Sequence, residues 1–80
     1  MLLMGESING TRKQVAEAIQ ARDAEFIKNL ALEQVEAGAG LLDVNGGVAG
    51  GNEVDDLLWL IEVVMGVTDP LGGIYVLYPL

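Results

Sequence analysis

The run Leu41-Leu42-Asp43-Val44-Asn45 is apolar until its end and is then broken by Gly46-Gly47, which reads as a short strand. An acid inside such a run is costly to bury unless donors answer it, so Asp43 is not a neutral placement. Either the carboxylate caps backbone N–H groups of the neighbouring loop or it orients a ligand. Leu2-Leu3-Met4, ended by Gly5, reads as an earlier strand buried on both faces, as in a parallel sheet.

Between these runs the periodicity changes. Gly5 to Gly10 reads as a loop, and Thr11 is placed to cap a helix carrying Val15, Ala18 and Ile19 on one face. Asp23 caps a second helical stretch with Phe26, Ile27, Leu30 and Ala31 inward, and Gly38 supplies the left-handed residue that stops it. After the strand at Leu41, Asn52 caps a further helix whose Val54, Leu57, Leu58, Ile61 and Val64 form one stripe. Asp55 and Asp56 suit its positive end. Gly66 ends it, and Thr68-Asp69-Pro70 leads to a last apolar segment, Ile74 to Tyr78. The order is β-α-β-α-β with parallel strands, an α/β chain. An open doubly wound sheet and a closed (β/α)8 barrel share that opening, and both place ligands at the C-terminal ends of their strands.

Charge and composition narrow the chemistry. Twelve acids against four bases give a net charge of −8, which offers no footprint for nucleic acid and disfavours anionic membrane surfaces. With no Cys and no His, disulfides, thiolate nucleophiles, Ser-His pairs and the usual zinc ligands are absent. No export signal is visible at the start, no run reaches the roughly 20 apolar residues of a membrane helix, and a cytoplasmic protein is expected.

Glu6 and Asn9 leave the first strand, while Asp43 and Asn45 leave the second, so in a parallel sheet four polar side chains converge on one rim. The spacing Gly5 to Gly10 invites comparison with a phosphate-binding loop, yet Thr11-Arg12 stand where Lys and Ser or Thr are needed. An anion at the helix N-terminus stays open as an alternative, a weak phosphate or nucleotide loop over Gly5 to Thr11. Gly46 to Gly51 lacks the dinucleotide spacing and reads as a strand-to-helix loop. Arg12, Lys13, Arg22 and Lys28 read as a solvated helix face. Trp59 reads as packing against a neighbouring helix or a second subunit rather than on a ligand.

Met4-Gly5-Glu6-Ser7-Ile8-Asn9-Gly10-Thr11-Arg12-Lys13 resembles the G-E-x-I-N-G-T opening of methyltetrahydrofolate:corrinoid protein methyltransferases. Gln20-Ala21-Arg22-Asp23, Gln34-Val35-Glu36-Ala37-Gly38-Ala39 and Leu42-Asp43-Val44-Asn45-Gly46 extend that resemblance in order, over about Met1 to Asp69. The family is similar to dihydropteroate synthase and to the folate module of cobalamin-dependent methionine synthase. The resemblance implies a pterin-binding (β/α)8 barrel truncated after about its first quarter, since such a barrel runs to about 250 residues. It implies methyltetrahydrofolate as substrate and cobalamin carried by a separate corrinoid protein, with methyl transfer from N5 to cobalt. Asn9 and Asp43 are then expected at the pterin mouth, with Glu6 and Asn45 in support, and no metal on this chain.

The ending departs from that pattern. A third strand closing in Leu-Asp-Ser is expected, and Thr68 to Leu80 reads differently, as a truncated or frameshifted product, an incomplete gene model or an engineered fragment reads. Residues 1–69 are therefore taken as the N-terminal portion of a pterin-binding domain, and residues 70–80 as a divergent segment holding a third strand. The expected isolated chain is catalytically inactive and folds as an oligomer, because open sheet edges invite pairing, or as a loosely packed three-layer unit that hides its helix stripes on either face of a short sheet. A non-enzymatic oligomerising α/β chain is the competing expectation.

Overall fold

The computed structural model of the chain describes residues 8–9, 12–45 and 53–78. The elements in order are β1 (Ile8–Asn9), α1 (Lys13–Ala21), α2 (Ala24–Glu36), β2 (Leu41–Asn45), α3 (Glu53–Leu71) and β3 (Tyr75–Leu77). The three strands form one parallel sheet in the order β1-β2-β3. Ile8 pairs with Val44 and Asn9 with Asn45, while Leu41, Leu42 and Asp43 pair with Tyr75, Val76 and Leu77.

Local chemistry explains most of the boundaries. The carboxylate of Asp23 accepts from the Phe26 N–H at 3.2 Å, satisfying one of the donors that every helix leaves bare at its start. At the other end of α2 the Ala39 N–H reaches the Gln34 carbonyl at 3.0 Å and the Gly38 N–H reaches Val35 at 2.9 Å. This double closure needs a left-handed residue, which Gly38 supplies at φ 97°. The same closure ends α1, where Asp23 N–H bonds Ala18 O at 2.8 Å and Arg22 N–H bonds Ile19 O at 3.1 Å. Here the left-handed residue is Arg22, at φ 53°.

Side chains from all three helices join Ile8, Leu42 and Val44 in one buried cluster, with Val76 packed against it. Val15, Ala18 and Ile19 come from α1, Ile27 and Ala31 from α2, and Leu60, Val63 and Val64 from α3. The described helices therefore lie together on one face of the sheet, two layers rather than the expected three-layer alternative, because their buried side chains all join the cluster on the Ile8, Leu42 and Val44 side. Leu41, Asp43 and Asn45 alternate onto the other face, half-buried, where Tyr75 and Leu77 are exposed. Among the described residues no element lies over that second face. No described helix is long and apolar enough to cross a membrane.

Several sequence expectations shift. Ile8–Asn9, expected inside a loop, is strand, because Ile8 buries completely beneath the helices and its backbone pairs with β2. The expected strand at Leu2 to Met4, and the caps at Thr11 and Asn52, lie outside the described residues. Arg12 is the residue that precedes α1, without a side-chain cap bond. α3 does not stop at Gly66 but continues to Leu71 with Pro70 inside its last turn. A glycine costs a helix only about 1 kcal/mol, and beyond it Thr68 is buried and Val67 half-buried, so packing carries the helix past. Proline is tolerated because the carbonyl it leaves without a donor belongs to the exposed Gly66, within reach of water. The buried stripe of α3 is also rotated. Leu60, Val63, Val64 and Thr68 are buried, while Val54 and Leu58 are exposed. The final strand is shorter than expected, three residues from Tyr75.

Candidate functional site

Parallel strands deliver their C-terminal ends to one edge of a sheet, and here that edge holds Asn9 and Asn45 side by side in register. Asp43 precedes Asn45 by two residues on β2, so both alternate onto the face turned away from the helices. Strand spacing puts the two asparagine positions about 5 Å apart across the sheet, and strand rise puts Asp43 roughly 7 Å below Asn45. Both Asp43 and Asn45 are half-buried. The covered face of the same strand carries only Leu42 and Val44, both fully buried. β2 thus presents only hydrocarbon to the helices, while Asp43 and Asn45 share the open side with Leu41.

Three of the four expected site positions can be placed. Asn9, Asp43 and Asn45 come together on two adjacent strands, and Glu6 lies outside the described residues. So do the glycines at 46–51, and Gly5, Gly10 and Thr11 of the candidate anion loop; Ile8–Asn9 within that loop is strand. Chemically the face offers the carboxylate of Asp43, which accepts only, and the amide of Asn45, which both donates and accepts. That set suits a flat heterocycle with a donor-rich edge. Among the described residues no three His, Cys, Asp or Glu side chains gather as a cation site.

A shallow groove of about 360 Å³ runs instead between α1 and α2, lined by Arg12, Lys13, Gln14, Val15, Phe26 and Leu30. None of its walls belongs to the sheet. It is a helix-packing crevice around the half-buried Phe26, not a space above Asp43.

Sequence reasoning missed one cluster. Arg22, read as part of a solvated face, donates from Nη1 to Asp56 Oδ1 at 2.9 Å and to Ile19 O at 3.1 Å, and its guanidinium stands 5.1 Å from the Trp59 ring centre. Trp59 therefore packs against the α1–α2 junction. The only sequence signal was an arginine at the place where a helix must turn left-handed.

No family model matches the chain. Over 72 residues, 89% of its length, it is 39% identical to the methylcorrinoid:tetrahydrofolate methyltransferase of Eubacterium limosum. Those residues span 27% of that relative, so the similarity is to a segment of it, about a quarter of its length.

Proposed function

We propose that this chain forms the opening β-α units of a pterin-binding (β/α)8 barrel that takes part in methyl transfer between tetrahydrofolate and a corrinoid protein. The observation that carries this reading is the placement of Asp43 and Asn45 on the face of β2 opposite all three helices. A doubly wound sheet buries both faces under helices and wants hydrocarbon on each. A barrel wraps its helices outside and keeps polar groups inside, near the C-terminal ends of strands. The strand order β1-β2-β3, with every helix on one side, is how a barrel begins. Apolar surface left on the last helix and strand, at Val54, Leu58, Tyr75 and Leu77, is surface that a following unit covers.

The name of the relative supplies the two substrates and this chain supplies groups that fit one of them. Asp43 accepts hydrogen bonds from the N–H groups of the pterin edge, a charge-assisted contact that fixes the ring plane. Asn9 and Asn45 complete the pattern with paired donors and acceptors, and Glu6 supports them. Bound tetrahydrofolate supplies the nitrogen that carries the methyl group. Holding the ring still brings that nitrogen to the carrier in one orientation, and the same contacts serve both directions of transfer. In this reading the corrinoid is carried by the partner protein, and these 80 residues bring no histidine to its cobalt. Residues 1–69 carry this role; residues 70–80 finish α3 and supply β3.

The test exchanges the matching segment of the Eubacterium limosum protein for this chain and measures methyl transfer and tetrahydrofolate affinity. Retained transfer that falls on Asp43→Ala or Asn9→Ala supports the proposal. A folded chimera whose titration curves are unchanged by both substitutions overturns the site. The competing reading, a non-enzymatic oligomerising chain, draws on the exposed Tyr75 and Leu77 of the edge strand. Sedimentation that shows a stable oligomer, indifferent to added folate, favours it.

A further inference from the structure

Arg22 is the sole non-glycine residue at positive φ among the described residues. A left-handed conformation costs an ordinary side chain roughly 1–2 kcal/mol, and glycine is the usual occupant of this closing position. A strained arginine there is explained by what its side chain does. Its Nη1 closes on the Ile19 carbonyl at the end of its own helix and on Asp56 in the early turns of α3, and its guanidinium lies over Trp59 one turn further on. Asp56 is only 14% exposed, whereas Arg22 is 42% exposed, so the acid is the more desolvated partner.

Topology gives this cluster a position. Only residues 72–74 separate α3 from β3, so α3 ends at the N-terminal edge of the sheet and its first turns lie toward the opposite edge. Likewise α2 ends four residues before β2, so Asp23 and Arg22 stand toward that same opposite edge. It is the edge at which Asn9 and Asn45 pair.

We infer that Arg22 is a positioning residue: it latches the first turns of α3 to the α1–α2 junction and so fixes the helix layer beside the strand ends that carry Asn9 and Asn45. A backbone-only role for residue 22 makes the opposite forecast, because glycine relieves the strain and keeps the same closure. The inference concerns contacts within this chain and stands whether or not a pterin binds.

Arg22→Gly separates the two. Hydrogen exchange of the 80-residue chain is expected to rise several-fold for amides of residues 54–60, while amides around Ile27 and Ala31 keep their protection. Acrylamide quenching of Trp59, the only tryptophan, is expected to increase in parallel. Arg22→Lys keeps a charge but loses the planar fork and its stacking, and is expected to fall between. Asp56→Asn, which leaves the left-handed residue untouched, is expected to loosen residues 54–60 as well, and decides the matter should Arg22→Gly not fold. Unchanged or stronger protection of residues 54–60 in Arg22→Gly, or in Asp56→Asn where only that variant folds, overturns the latch.

Discussion

The two faces of β2 differ in what they ask of a side chain. On one, Leu42 and Val44 are sealed beneath helices and matched by Ile8 and Val76 from the neighbouring strands. On the other, Leu41, Asp43 and Asn45 stay half-buried, flanked by an exposed Tyr75 and Leu77. Five consecutive residues thus serve two environments because successive side chains of a strand point to opposite sides. The covered face makes the unit cohere, and the open face is free to vary its chemistry without disturbing that cohesion.

The largest expected effect lies on the covered side. Leu42→Ala leaves a void under three helices and should cost about 2–5 kcal/mol in urea unfolding, whereas Asp43→Ala should cost well under half as much; equal losses would erase the contrast. On the open side the effect belongs to binding. In the chimera, Asp43→Asn keeps the shape but removes the charge, and should weaken tetrahydrofolate at least tenfold, about 1.4 kcal/mol by calorimetry. Removing the cap with Asp23→Ala probes the helix layer alone, and should lower stability by about 1 kcal/mol in the same urea titration with affinity in the chimera unchanged. Smallest is Leu77→Lys, at an exposed edge position. Its stability should stay within about 0.5 kcal/mol of the parent, yet any self-association seen in sedimentation should diminish, since a charged edge resists pairing.

Legibility in the sequence followed the same division. Asp23 as a cap, Gly38 as a left-handed stop and β2 over Leu41–Asn45 were readable because each is decided by residues within a few positions. The stripe of α3 was not, because that helix is apolar over most of its circumference and several stripes fit it equally. Its true face was chosen by where β2 and α2 lie. β1 escaped notice since two residues carry no periodicity, and only Val44 and Asn45 across the sheet identify them as strand. For the candidate site, an acid in an apolar run was visible beforehand, and the structure adds which way it alternates. The Arg22 cluster was hidden for a different reason: its partners on α3, Asp56 and Trp59, stand more than thirty positions away along the chain.

The strand order has a consequence for how such a molecule is built. Because β2 joins the flank of β1 and β3 the flank of β2, each new strand docks on a border that already exists and none must be threaded between two earlier ones. A nascent polypeptide can lay the layer down in the order of its synthesis, each step closing one helical crossover, from Ile8 to Val44 and then from Leu41 to Tyr75. Growth of this kind tolerates lengthening by whole repeats at the β3 border, while leaving what has already set in place undisturbed.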